Sequence, residues 1–367
     1  MYESLYLIPI SEEEAIKHFT YLQHAHTNDY TTDKKENQES STRIGASTNG
    51  NKASNYFFQS VRLRTNYRNK GTYEGWIQAN GVEKLQQLAL TYSKKKSIEE
   101  CKEHDLQSVL HLRVGSINQF KPRVAACLYD YFKPTSVLDF CAGWGDRCVA
   151  AMAKGIHYTG IDTNVELQTP YSNMITFYTQ LINKKECTVP TVKIHFQPSE
   201  TFDFSTVSYD MVLTSPPYFD LEKYEHMPSY ETFEVWISSF LKVVVAKAWQ
   251  HLRENGWLCL NLPSKSDNRK HTKYDLFTPV QTILGEPTKK IHMMLQYRAQ
   301  NKEQANNCEY IYCWQKTVTV ISTQPQLQTQ SSSSTINTQS ELFILRDENR
   351  KLKEEIKALK QLLKMYM

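Results

Sequence analysis

A short apolar run that ends in an acid, then turns through two glycines into a helix, constrains this chain more than any other feature. Ser136-Val-Leu-Asp-Phe140 reads as a buried strand, Cys141-Ala-Gly-Trp-Gly-Asp-Arg147 as a turn, and Cys148-Val-Ala-Ala-Met-Ala153 as a helix. Gly143 and Gly145 let the backbone bend tightly and come close to a ligand. Strand, glycine turn and helix in this order open a doubly wound α/β sheet, which binds its ligands at the carboxyl ends of the strands. The dinucleotide fingerprint needs a third glycine and seats a pyrophosphate on the helix start. Here Asp139 and Asp146 flank the turn and would repel phosphate; they suit a cationic, amine-bearing ligand. The next strand, His157-Tyr-Thr-Gly-Ile161, ends at Asp162 with Thr163 beside it. An acid in that place takes ribose hydroxyls in nucleotide-type sites.

A second strand stops abruptly in Asp210-Met-Val-Leu-Thr-Ser-Pro-Pro-Tyr-Phe-Asp220. Pro216 and Pro217 remove backbone donors and fix φ, so the strand cannot continue. The resulting turn is rigid and donor-poor, and it offers a hydroxyl, a backbone carbonyl and an aromatic face. One reading is a turn that merely ends a core strand. The other is a holder for a planar amino group, whose hydrogens meet acceptors while its ring stacks on Tyr218.

In order and spacing, these segments resemble the class I S-adenosylmethionine-dependent DNA amino-methyltransferases, in the Thr-Ser-Pro-Pro-Tyr form common among N4-cytosine enzymes. The resemblance covers roughly residues 116–317. It implies an α/β fold with a Rossmann-like seven-stranded sheet, and S-adenosylmethionine as cofactor. The implied cofactor residues are Asn118 and Phe120, in a loop before a helix starting near Pro122, then Asp139, Phe140, Ala142, Gly143, Gly145, Asp146, Asp162 and Thr163. Ser199 or Glu200, after a third strand at 191–196, is placed near the adenine amino group. A helix over 231–252, a buried strand at 257–262 and paired late strands at 291–297 and 309–314 complete the expected sheet.

The resemblance assigns Ser215, Pro216, Pro217 and Tyr218 to the acceptor. An exocyclic amine is a poor nucleophile because its lone pair is delocalised into the ring. Ser215 Oγ and the Pro216 carbonyl would accept its two hydrogens and turn its lone pair toward the methyl donor, with proximity supplying most of the acceleration. Tyr218 would stack on a base taken out of the helix, with Phe219 widening that platform. Serine in the first position leans the target toward cytosine N4 over adenine N6. RNA, or a protein glutamine amide, offers the same kind of nitrogen. A third reading is a non-catalytic dimeric nucleic-acid binder on a methyltransferase fold.

Composition sets the remaining bounds. A net charge of +4 over 367 residues permits nucleic-acid binding without arguing for it, so local clusters must carry that case. Residues 56–76 interleave aromatics with cations, and Val61-Arg-Leu-Arg64 alternates like an exposed strand. Arg62, Arg64 and Arg68 are the candidate phosphate contacts; the competing reading is a small β-element with its arginines in solvent. The eight cysteines form no Cys-x-x-Cys pair and no zinc-spaced set, so no metal is expected, and Cys141 reads as a packing residue. An intracellular protein without a membrane span or signal peptide is the expectation.

The expected organisation is an N-terminal extension (1–115), a methyltransferase domain (116–320), a linker (321–340) and a coiled coil (341–367). Within the extension, residues 2–20 are expected to form a short strand and helix. Residues 27–54 are nearly free of apolar side chains and are expected to be disordered. Residues 322–340 carry no charge and are mostly Gln, Ser and Thr, as in a flexible linker. Beyond them Leu342, Leu345, Asn349, Leu352, Ile356, Leu359, Leu363 and Tyr366 alternate in steps of three and four. Leucine at d with one Asn at a favours a parallel two-stranded coil, hence a homodimer through residues 342–366.

Overall fold

The computed structural model describes residues 2–26, 43–45, 47–67, 70–115, 117–184, 188–219, 222–223, 228–263, 274–294 and 308–317. The linker, the heptad segment, Arg68 and Asp220 lie outside the described residues. In chain order the elements are α1 (Glu12–Gln23), β1 (Arg43–Ile44), α2 (Asn51–Leu63), β2 (Asn66–Tyr67), α3 (Tyr73–Asn80), α4 (Val82–Ser93) and α5 (Glu103–Arg113). Then come α6 (Pro122–Phe132), β3 (Ser136–Asp139), α7 (Asp146–Ala153), β4 (His157–Asp162), α8 (Gln168–Asn183), β5 (Val192–Phe196), β6 (Met211–Thr214) and β7 (Glu222–Lys223). The last are α9 (Phe233–Trp236), a π-turn (Ile237–Leu241), α10 (Lys242–His251), β8 (Trp257–Asn261), α11 (Phe277–Leu284), β9 (Lys289–Met294) and β10 (Cys308–Gln315).

The main sheet runs β1-β9-β10-β8-β6-β3-β4-β5. Strands β5, β4, β3, β6 and β8 are parallel, and β10 lies antiparallel between β8 and β9. This is the expected Rossmann-like α/β sheet, with the two-residue β1 added to its edge, parallel to β9.

Helices cover both faces, so the central strands are apolar on both sides, as parallel strands must be. Successive residues alternate between the two cores. Val137, Met211, Leu213 and Cys259 join the cluster under α1, α2, α6, α7 and α8. Leu138, Val212, Leu258 and Leu260 join the cluster under α10 and α11. Pro122 opens α6 at a position where its missing N–H costs nothing, as the sequence suggested.

The N-terminal region departs from expectation. Residues 1–318 fall in one compact unit. Phe19, Leu22, Ala53 and Phe58 bury against α6, α7 and α8. The disorder expected for 27–54 is corrected at its end: Ile44 is buried in β1, and α2 starts at Asn51 behind Gly50 in a left-handed turn. The strand expected at 61–64 is helix instead. The residues that bury are Ala53, Ser54, Phe58, Gln59, Arg62 and Leu63, which follow helical spacing and not alternation. In place of a strand, residues 3–5 form a 3₁₀ turn before α1, whose start is fixed by a Ser11–Glu14 capping box. Helices α3, α4 and α5 build a third cluster with Tyr6 and Leu63, against which Trp144 of the glycine turn packs. Strand β2 pairs with β7, which comes after the Pro-Pro turn.

Candidate active site

The strand order reverses between β3 and β6, with β4 and β5 on one side and β8 on the other. Ligands of open α/β sheets bind in the crevice at such a switch point. The glycine turn leaves β3 there, and Ser215 to Tyr218 leave β6 next to it.

The two glycines have different tasks. Gly145 has φ +72, and an added Cβ would come within 2.6 Å of Phe58 Cε2 and 3.1 Å of Met174. It is glycine so that α2 and α8 can pack onto the turn. Gly143 has φ +58, and among the described residues its added Cβ would find nothing nearer than the Cys141 carbonyl at 3.9 Å. Among the described residues its open side faces no atom closely. The Gly143 N–H donates to Asp162 Oδ2 (2.7 Å), and the Asn164 N–H to Asp162 Oδ1 (2.9 Å). Burial raises the Asp162 pKa, and these two backbone donors work against that. Asp162 is half-buried, with Thr163 half-buried beside it.

Asp139 corrects the sequence reading. It is 0% exposed and held by Arg147 Nε (2.6 Å), by the Tyr158 hydroxyl (2.6 Å) and by the Cys141 N–H (3.3 Å). Both of its oxygens are engaged inside the core, as a structural ion pair and not as an open ligand group. Arg147 also donates to the Cys141 carbonyl, so the ion pair ties the glycine turn to the sheet. Burial disfavours the guanidinium charge, but Asp139 outweighs it and holds the Arg147 pKa above its ordinary value. Phe120 lies over this guanidinium at 4.9 Å.

Asp146 is likewise turned inward, at 3% exposure. It accepts from Ser54 Oγ of α2 and from Gln119 Nε2 (2.7 Å), clamping the N-terminal region to the loop before α6. Burial pushes its pKa up to about 6, against the pull of those hydrogen bonds. Phe140 and Ala142 have buried side chains. Ser199 is spent too: its hydroxyl donates to the Phe140 carbonyl. Glu200 remains half-buried and accepts from the Tyr230 hydroxyl (3.1 Å). Asn118 is exposed. Burial holds the Cys141 thiol well above its usual range, which suits a packing residue.

On the other side, Thr214 is fully buried, Pro216 is buried, and Ser215, Pro217 and Tyr218 are half-buried. Asn261 Nδ2, at the end of β8, stands 3.4 Å from Ser215 Oγ and 3.3 Å from Glu309 Oε2. Phe219 adopts φ +56 and turns into a ring cluster, 5.3 Å from Tyr274, 5.8 Å from Phe233 and 6.2 Å from Trp236. It is therefore part of the wall behind the turn and not a free platform. Sequence reasoning missed Asn261, Glu309 and Tyr230. One signal was present for Asn261: a polar residue ends an apolar strand there, as at Asp139 and Thr214.

The candidate phosphate contacts separate. Arg62 is 8% exposed and donates to the Ile117 carbonyl (2.7 Å) and Asn55 Oδ1 (3.3 Å). It is a strut between α2 and the loop before α6, not a nucleic-acid contact. Arg64 is exposed and lies 3.5 Å from Glu166 and 3.9 Å from Glu3. Among the described residues no His, Cys, Asp or Glu group could hold a metal, and no helix is long and apolar enough to cross a membrane.

No family model and no curated protein sequence matches the chain. Solved structures do. The N-methyltransferase NodS from Bradyrhizobium japonicum WM9 is similar at 10% identity and a TM-score of 0.32, over 50% of this chain and 87% of that one. TehB from Haemophilus influenzae is similar at 12% identity and a TM-score of 0.34, over 59% and 68%. The magnesium protoporphyrin IX methyltransferase ChlM from Synechocystis PCC 6803, with bound SAM, is similar at 12% identity and a TM-score of 0.34, over 53% and 79%.

Proposed function

We propose that this chain is an S-adenosylmethionine-dependent methyltransferase acting on an exocyclic amino group of DNA, cytosine N4 ahead of adenine N6. The observation that carries the reading is a juxtaposition. A glycine turn closed by Asp162 and a Ser-Pro-Pro-Tyr turn leave adjacent strands on the two sides of the switch point. The residues fit the cofactor on their own terms. Gly143 leaves space where a side chain would intrude, Asp162 ends β4, where an acid takes ribose hydroxyls in nucleotide-type sites, and Glu200 is half-buried on the neighbouring loop. Asn118, Phe120 and Thr163 complete the rim. The cofactor would supply an electrophilic methyl group.

The chain's own groups orient the acceptor. Ser215 Oγ and the Pro216 carbonyl accept the amine's hydrogens, and Tyr218 stacks on the ring. A base inside a duplex is reached by taking it out of the stack. The β2–β7 pairing runs the N-terminal region beside the chain that continues from Tyr218, which supports that region as part of the substrate side. The heptads of 342–366 add a homodimer on sequence grounds, and an intracellular setting agrees with the free cysteines.

The test is nucleoside mass spectrometry after incubation with labelled S-adenosylmethionine and, separately, duplex DNA, single-stranded DNA and RNA. Label in N4-methylcytosine or N6-methyladenine of DNA, lost in Ser215→Ala/Tyr218→Ala, is expected. Label confined to RNA would replace DNA as substrate. No label in any pool from protein that binds the cofactor would reject nucleic acid.

A further inference from the structure

We propose that Asn261 and Glu309 are positioning residues that aim the Ser215 hydroxyl at the acceptor amine; this rests on the proposed role of Ser215 in holding that amine. The three residues come from three adjacent strands, β6, β8 and β10. Leu213, Cys259 and Ile311 share one core cluster. Positions two apart along a strand face the same way, which puts Ser215, Asn261 and Glu309 on that same face at the edge of the sheet. Ile311 is directly paired with Asn261, so Glu309 lies just beyond it.

The donor and acceptor inventory then fixes the arrangement. Asn261 turns its NH2 toward Glu309, whose side-chain oxygen accepts. Asn261 is 4% exposed, which leaves it little solvent to bond instead. Its Nδ2 has two hydrogens: one for Glu309 Oε2 at 3.3 Å, one for Ser215 Oγ at 3.4 Å. Both distances are at the long end for such bonds. Catalytic hydrogen bonds commonly stand long before the substrate arrives and tighten with it.

The consequence falls on Ser215. A hydroxyl oxygen has two lone pairs and one hydrogen. With one lone pair taken by Asn261, the rotor is no longer free, and one lone pair is left for a hydrogen of the acceptor amine. Losing Asn261 frees the rotor and lets the hydroxyl offer its own hydrogen to the amine nitrogen, which would occupy the lone pair that has to attack. Glu309 acts one step further back, by preventing the amide from turning over and presenting its oxygen to Ser215.

The test is methyl-transfer kinetics on the full chain with S-adenosylmethionine and the nucleic acid that the wild type methylates. Asn261→Ala should lower kcat by roughly ten- to a hundredfold, the usual scale for a misplaced reacting group. KM for the nucleic acid and Kd for the cofactor should stay within about twofold, since neither ligand loses a binding contact. Glu309→Ala should show the same split to a lesser degree. Glu309→Gln should recover most of the rate, because its carbonyl oxygen still accepts from Asn261. If Asn261→Ala does not fold, the Glu309 pair carries the test. Transfer that Ser215→Ala abolishes but that neither Asn261→Ala nor Glu309→Ala slows would overturn the inference alone. A fall in cofactor affinity matching the fall in rate would overturn it too, marking a structural role. Wild-type protein that binds the cofactor and methylates no nucleic acid would overturn the proposed role of Ser215 and this inference together.

Discussion

Replacing each glycine of the turn by alanine separates folding from ligand binding. Both residues sit at positive φ, where an L side chain costs roughly 1–2 kcal/mol. At Gly145 the added methyl would also overlap Phe58, at 2.6 Å, and crowd Met174 at 3.1 Å. Overpacking of that kind adds about 1–3 kcal/mol. Gly145→Ala should therefore lose roughly 2–5 kcal/mol in total, a large part of the stability of an ordinary domain. At Gly143 no atom of the described residues crowds the added methyl, the nearest being the Cys141 carbonyl at 3.9 Å, so the loss should stay near the backbone strain alone, about 1–2 kcal/mol. The methyl would instead point into the space assigned to the cofactor. Urea unfolding monitored by circular dichroism gives the stabilities, and titration with S-adenosylmethionine gives the affinities. Gly143→Ala should stay folded and lose most of its cofactor affinity. Equal stability losses at the two sites would refute the packing of α2 on the turn. Wild-type affinity in Gly143→Ala would refute the cradle.

Other expectations concern buried charge. Asp139→Asn should cost about 3–5 kcal/mol in urea unfolding, because it leaves the Arg147 guanidinium buried without its counter-charge; a loss below about 1 kcal/mol would show that water reaches the pair. Arg62→Ala should destabilise by roughly 1–3 kcal/mol through the bond lost at Ile117. It should leave the salt dependence of nucleic-acid binding unchanged, and a shallower slope would return Arg62 to the phosphate contacts. Asp146 is an acid whose folded pKa, about 6, lies above its ordinary value of 3.8, so the folded state binds the proton more tightly. Its contribution to stability is full below the ordinary value and is lost as pH rises from about 4 to about 6. Asp146→Asn should flatten stability across that window, and an unchanged pH profile in the variant would contradict the assignment.

Much of the sheet was legible because its strands carry their own signals. Val137 and Leu138, Met211 to Leu213 and Leu258 to Leu260 are apolar on consecutive positions in runs too short for a helix, as a strand covered on both faces requires. Glycine and proline marked where those strands stop. The N-terminal helices were less legible for a physical reason. The start of α2 lies in Asn, Ser, Lys and Gly, and its buried face includes Ser54, Gln59 and Arg62, so hydrophobicity alone underestimates it. Those polar groups are acceptable inside because partners come from far along the chain: Asp146 for Ser54, Ile8 for Gln59 and Ile117 for Arg62. The same non-locality hid Asn261, which meets Ser215 and Glu309 only once β6, β8 and β10 are side by side. Asp139 failed in the opposite direction. The acid at the strand end was visible, but its partner Arg147 comes from the first turn of the next helix, and only the fold shows that they consume each other.

The central claim is that one crevice holds the cofactor through the glycine turn and Asp162, and the acceptor through Ser215 to Tyr218. The most direct measurement is paired cofactor titration and label transfer to nucleic acid on wild type, Asp162→Ala and Ser215→Ala. Wild type should bind and transfer. Asp162→Ala should lose both, while Ser215→Ala should bind as wild type and transfer little. Transfer that survives in Ser215→Ala, or cofactor affinity untouched in Asp162→Ala, would contradict it.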